Sequence, residues 1–132
     1  MIIDSHAHVV LGKAEYEKMA KLAGSRNNPK LGAKLPSDDV SRDVAAGLIK
    51  QMDEVKTDVQ FISPRPYLQL HSLSPRDVPL FWTRYCNNLI HQHCQLFPDR
   101  LKGVAGLPQY RDTSPANCVE ELERCITELG FI

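Results

Sequence analysis

Short strand-forming apolar runs alternate along this chain with amphipathic helical stretches, and that order constrains its fold more than any other feature of its 132 residues. An apolar pair, Ile2-Ile3, opens a first strand that runs to His8. Gly12 to Gly24, rich in Lys, Glu and Ala, reads as a short helix. Ser25 to Pro36 is polar and breaker-rich, a long excursion of the kind used for lids and binding loops. Ser37 or Asp38 can cap the next helix, whose apolar positions Val40, Val44, Leu48, Met52 and Val55 keep helical spacing. Asp58 to Ser63 reads as a strand stopped by Pro64-Arg65-Pro66. Ser74 as N-cap and Pro75 at the first helical position predict a third helix to about Phe97, with Phe81, Tyr85 and Leu89 on one stripe. Leu101 to Leu107 is a small-residue strand. Ser114-Pro115 repeats the helix start, Val119, Leu122, Ile126 and Leu129 give that helix an apolar face, and Gly130 stops it. Phe131-Ile132 then begins a further strand. The order is β-α-β-α-β-α-β, which predicts an α/β fold with a parallel sheet and right-handed crossovers.

Composition narrows the function classes. Apolar residues make up 42% of the chain and charged residues 24%, as in ordinary globular proteins, and a single domain over residues 1–132 is expected. Sixteen basic and sixteen acidic side chains cancel, leaving no electrostatic footprint for nucleic acid or an anionic membrane. No apolar run approaches the ~20 residues of a membrane span, and the first residues lack the basic and apolar regions of a signal peptide. A cytoplasmic address is the default expectation. Cys86 and Cys94 lie eight residues apart, Cys118 and Cys125 seven, each pair within one helical segment. On a helix those gaps span roughly 10–12 Å, too far for a local disulfide. With no Cys-X-X-Cys, the four read as small buried residues in a reducing compartment.

The chemistry concentrates where the strands end. Side chains on a strand alternate with period two, so His6 and His8 share a face and Asp4 joins them. Two imidazoles side by side can serve as a pair of metal ligands, although His-X-His also arises by chance and two ligands do not complete a site. Asp4 could orient a ligand from behind, or simply satisfy donors at the strand end. Arg65 follows the second strand at the same rim, with a permanently charged fork suited to a carboxylate; a loop salt bridge is the plainer alternative. Ser63 can add a hydroxyl donor, His71 can line the mouth or be a solvated loop residue, and Gln109 lies at the third strand's C-terminal end. His91 and His93 fall two apart on a helix and do not face each other, so they are no chelating pair. The glycines form neither a dinucleotide nor a P-loop fingerprint.

Ile2-Ile-Asp-Ser-His-Ala-His8, Phe61-Ile-Ser-Pro-Arg65, Cys86-Asn87 leading to Gln95-Leu-Phe-Pro-Asp99, Gly106-Leu-Pro-Gln109 and Glu121-Leu-Glu-Arg-Cys125 through Gly130-Phe131 occur in collinear order. With these segments the chain resembles the 4-oxalomesaconate hydratase group of the amidohydrolase superfamily, in its amidohydrolase-2, decarboxylase-like branch. The likeness spans nearly the whole chain and is weakest from about residue 11 to 36. It implies a metal-dependent (β/α)8 barrel, usually with zinc, acting on small unsaturated di- and tricarboxylates from aromatic catabolism. The family's first two metal ligands carry over onto His6 and His8, and its Ser-Pro-Arg segment onto Ser63-Pro64-Arg65, implying that Arg65 binds a substrate carboxylate. The chain departs from the family where a His-His pair is often found, since His71-Ser72 stands there. Family members also draw a further histidine and an acidic ligand from later strands.

Three βα units and the start of a fourth strand do not close a barrel of eight strands and about 250 residues. The expectation is therefore the N-terminal part of a TIM-type barrel whose chain continues, the alternative being a small three-layer domain. Three functions follow. The first is a metal-dependent lyase that hydrates a carbon–carbon double bond of a small keto-polycarboxylate, with its general acid and base beyond Ile132. The second is a decarboxylase or hydrolase on the same fold. The third is an inactive fragment that serves only as an interaction partner. The expected partners are a carboxylate substrate and a second copy of the chain, with neither nucleic acid nor membrane.

Overall fold

Three parallel strands, β1 (Ile3–His8), β2 (Val59–Ser63) and β3 (Leu101–Gly103), lie side by side in sequence order in a computed structural model that describes residues 1–25 and 34–132. Helices α1 (Lys13–Gly24) and α2 (Asp38–Glu54) separate β1 from β2; α3 (Asp77–Leu96) separates β2 from β3; α4 (Val119–Thr127) follows β3. Most of the breaker-rich excursion predicted over 25–36 lies outside the described residues. Parallel pairing of both strand pairs meets the expectation from β/α alternation. The main-chain N–H of Ile132 donates to Gly103 O at 3.1 Å, so the final residues do begin to pair beside β3.

β2 shows why the sheet has two unlike faces. Gln60 and Ile62 are buried beneath the helices, whereas Val59, Phe61 and Ser63 on the other face are partly open. Helix α3 is the centre of the core, burying Val78, Trp82, Tyr85, Cys86, Leu89 and Ile90. Trp82 and Tyr85, one turn apart, stack with ring centroids 5.3 Å apart.

Sequence spacing placed the elements well and some of their boundaries and faces less well. Helix α3 opens at Asp77, two residues later than the Ser74 cap predicts, because the Pro75 carbonyl is taken by Val78 N–H in a preceding turn. Strand β3 ends at Gly103 rather than Leu107 because Gly106 spends both its backbone groups on Asn87: Asn87 Nδ2 donates to Gly106 O at 3.0 Å and Gly106 N donates to Asn87 Oδ1 at 2.8 Å. Helix α2 buries Ser41, Ala45 and Met52 and leaves Val40 and Val55 exposed. Its partner supplies the reason: Ser41 Oγ donates to Gln92 Oε1 at 2.8 Å, and Gln92 Nε2 donates to Pro36 O and Asp38 Oδ1. Most of the face predicted for α4 is turned outward; Val119, Leu122 and Ile126 are exposed, while Glu121 and Cys125 point inward and Leu129, just past the helix, packs against the core. The expected stops hold. Ser37 and Ser114 occupy cap positions, and Gly130 takes φ +66°, a left-handed conformation suited to a residue without Cβ.

Candidate functional site

Polar groups at the two ends of the sheet behave differently. At the N-terminal end they close on one another: Arg100 donates to Asp53 Oδ1, Thr57 O and Asp58 O, while Asp58 Oδ2 accepts from Ile2 N–H at 2.6 Å. At the C-terminal rim, several strong donors and acceptors face no such partner among the described residues, and that is the end where parallel barrels keep their chemistry.

His6 and His8 occupy the end of β1, with ring centroids 5.2 Å apart and planes at 78°. The structure brings them together as the spacing predicts. His8 Nδ1 lies 3.1 Å from Ser63 Oγ, and Ser63 Oγ donates its one proton to Ala7 O at 3.2 Å. With the hydroxyl proton on Ala7 O, Oγ accepts from His8 Nδ1–H, the tautomer that leaves Nε2 of His8 with a free lone pair. A ring held by one nitrogen and open at the other is the form a metal ligand takes. The donor set therefore fits a divalent cation as two of its ligands. Among the described residues, no group of three or more His, Cys, Asp or Glu side chains converges as a complete site.

Asp4 departs from the period-two expectation. It pairs with Gln60, whereas Ala7 pairs with Ile62 and His8 with Ser63, so a bulge between Asp4 and Ala7 shifts the register by one residue. Asp4 consequently sits on the helix-covered face and the histidines on the other. Its carboxylate reaches the pair through the backbone: Oδ1 accepts from His6 N–H at 3.0 Å and Oδ2 from Gln60 Nε2 at 2.7 Å. The His6 amide first, then the Gln60 amide, hold its carboxyl below the usual aspartate range.

Arg65, just past β2, donates from Nη1 to the Tyr67 hydroxyl at 3.0 Å and forms no ion pair among the described residues. The loop salt bridge considered as its plainer role is thus not made there. His71 is half-buried, and its Nε2 has no partner among the described residues. Gln109 is exposed on the loop after β3, its own N–H turned back to Leu107 O at 2.8 Å. His91 and His93 diverge as expected. His91 Nδ1 donates to Leu129 O at 3.1 Å, while His93 is buried, and burial lowers its pKa.

Two residues beneath the rim escaped the sequence reading. Gln60 is one; an amide inside the otherwise apolar Val-Gln-Phe-Ile run was its only signal. Glu121 is the other, a carboxylate on the side of α4 that periodicity assigned to solvent. It is 1% exposed and receives Asn87 Nδ2 at 2.8 Å, Arg84 Nε at 2.9 Å and Arg124 Nη2 at 2.7 Å. Through Asn87 it braces Gly106, and with it the loop that carries Gln109.

A parallel β/α sheet with an imidazole pair at its C-terminal rim defines a class of barrel hydrolases and lyases, and the chain belongs to the amidohydrolase family, whose model matches residues 3–132. It is 35% identical over 138 aligned positions to 2-keto-4-carboxy-3-hexenedioate hydratase of Sphingobium sp. (strain SYK-6), covering 100% of this chain and 40% of that protein. Its fold superposes on the crystal structure of 4-oxalomesaconate hydratase from Rhodopseudomonas palustris with a TM-score of 0.87 at 33% identity, over 100% of this chain and 41% of the other. A dihydroxybenzoic acid decarboxylase from Polaromonas sp. JS666, solved with bound manganese and the inhibitor 2-nitroresorcinol, shares the fold, with a TM-score of 0.67 at 22% identity over 99% and 36% of the two chains. The chain spans about two fifths of the length of the relatives it matches. The three strands and their helices correspond to the N-terminal part of a TIM-barrel amidohydrolase.

Proposed function

We propose that the whole protein is a metal-dependent hydratase that adds water across the double bond of a small unsaturated keto-polycarboxylate, a cytoplasmic step in the breakdown of aromatic compounds. The observation that carries this is the imidazole pair: His6 beside His8, with the Nε2 lone pair of His8 left free by Ser63, in a chain about one third identical to two hydratases.

His6 and His8 would hold a divalent cation, with zinc the first expectation for an imidazole pair. When bound, such a cation polarises a substrate oxygen and acidifies a bound water toward a pKa of ~7. This chain's own residues supply the rest of the half-site. Ser63 fixes the ring and tautomer of His8. Arg65, whose fork meets the Tyr67 hydroxyl and no carboxylate among the described residues, offers its charge to a substrate carboxylate and so sets the substrate's orientation. The exposed Gln109 amide is a further group that can bond a second carboxylate or a keto oxygen, and the buried Nε2 of His71 would have to become accessible before it could do the same. The remaining ligands and the proton-transfer group are assigned to the length that the relatives possess and this chain does not cover.

Metal analysis of the complete protein with hydration assays on 4-oxalomesaconate-type substrates tests the reading. His6→Ala should lower bound metal and turnover together, metal affinity falling by more than about 100-fold. Arg65→Met should raise KM by ~10–100-fold and leave metal content unchanged. A protein without metal whose turnover ignores His6→Ala would refute the proposal. Release of carbon dioxide without hydration would replace it with the decarboxylase chemistry.

A further inference from the structure

The bulge in β1 decides which way its histidines point. Between its two flanking pairs, Asp4↔Gln60 and Ala7↔Ile62, three steps of β1 stand against two of β2. Were the strand regular, the alternation that sets Asp4 over Gln60 would put His6 and His8 on that same face. That face is covered: Ile62 and Ala45 are 0% exposed, and Met52 1%. One added residue reverses the phase, so His8 stands over Ser63 and His6 beside it on the partly open side.

A bulge gives up regular ladder pairing and is rare between parallel strands, so it needs its own support. The Asp4 carboxylate provides it at both oxygens. Oδ1 takes the His6 N–H two residues on, a local side-chain-to-backbone bond of the kind that stabilises turns. Oδ2 takes Gln60 Nε2 at 2.7 Å across the strand pair. Gln60 is 8% exposed, and its Oε1 has no partner among the described residues. A half-satisfied buried amide is unfavourable by itself, which argues that its bond to Asp4 serves more than packing.

We propose that Asp4 and Gln60 are positioning residues, a carboxylate–amide clamp on the helix side of the sheet that holds the bulge and thereby aims His6 and His8 together as a ligand pair. The inference rests on the metal-binding reading of that pair. It distinguishes a hydrogen-bonded clamp from a simple effect of charge. An asparagine at position 4 can still accept the His6 N–H, and its amide can donate to Gln60 Oε1 once Gln60 turns over; an alanine can do neither.

Cobalt(II), whose visible absorption reports ligand geometry, is titrated into the complete protein and into Asp4→Asn, Asp4→Ala and Gln60→Leu. The clamp requires cobalt binding weakened about 10–100-fold in Asp4→Ala and Gln60→Leu, with altered absorption bands, and restored to within about threefold of wild type in Asp4→Asn. Wild-type affinity in Asp4→Ala overturns it, and so does an Asp4→Asn protein as weak as Asp4→Ala. If the unaltered protein takes up no cobalt, the metal reading fails, and the clamp is judged on metal-free protein by amide exchange at His6. There Asp4→Ala should speed exchange by roughly three- to tenfold and Asp4→Asn should not; equal rates in all three proteins reject the clamp.

Discussion

Glu121 illustrates how much one buried side chain can organise. Burial would push its carboxyl up, but the bonds from Arg124 and Asn87 and the charges of Arg124 and Arg84 outweigh that and hold it below the ordinary glutamate range. A carboxyl whose pKa is lower folded than unfolded stabilises the fold fully above its unfolded value of ~4.3, and loses that contribution as pH falls through the lower folded value. Glu121→Gln should therefore cost about 2–4 kcal/mol near pH 7, since it takes the counter-charge from Arg124 and leaves Arg84 with Glu120 alone. Urea unfolding of the two proteins should show the gap narrowing as the pH is taken from 6 to 3. A gap independent of pH would mean that the carboxylate contributes packing alone. At the rim, by contrast, His6 and His8 were legible because metal chemistry needs two imidazoles close together, and a strand supplies that spacing. Asp4 was misplaced because period-two alternation holds only while the register is unbroken.

At the level of elements, the loop from β3 to α4 is held by shape as well as by bonds. A Cβ built on Gly106 would lie 2.6 Å from Pro64 Cγ and 3.3 Å from the side-chain oxygens of Asn87 and Gln69. Pro64 is a ring fixed at the end of β2 and cannot swing away. Gly106→Ala should destabilise the protein by about 1–3 kcal/mol in chemical denaturation. It should also disturb the rim, since the loops bearing Arg65 and Gln109 meet at this contact. A neutral substitution would show that the two loops move independently. Helix and strand existence was readable from caps, breakers and periodicity. The end of β3 was not, because the competitor for its hydrogen bonds is a side chain on another helix. Most of the α4 face was also misread: of four apolar residues at helical spacing Leu129 alone packs inward, because two arginines and an asparagine draw Glu121 inside.

Across the whole molecule, burial governs the four thiols. Cys86 and Cys125 are pushed up to about 12 and Cys94 to about 11, in each case chiefly by burial, and all four cysteines are free. Alkylation near neutral pH should therefore spare Cys86 and Cys125 until the core opens, slowing their labelling by at least about 100-fold relative to the unfolded chain. Rapid labelling of either would reveal local opening between α3 and α4. The sheet end where Arg100, Asp53 and Asp58 satisfy one another contrasts with a rim where, among the described residues, His6, His8 and Arg65 form no ion pair. Among the described residues, the longest helix, α3, is too short in its apolar content to cross a membrane.

By itself the sequence determined the alternation of strands and helices, the parallel sheet that alternation demands, the family and the histidine pair. These are local or collinear properties, written in spacing and residue type. Only the tertiary structure decided that a bulge turns the pair away from Asp4, that Ser63 holds the His8 ring through Nδ1, and that Asn87 and Glu121 end β3 and brace its loop. Each of those depends on hydrogen bonds between residues far apart in the chain, and no periodicity within a single segment records which distant partner a polar group will find.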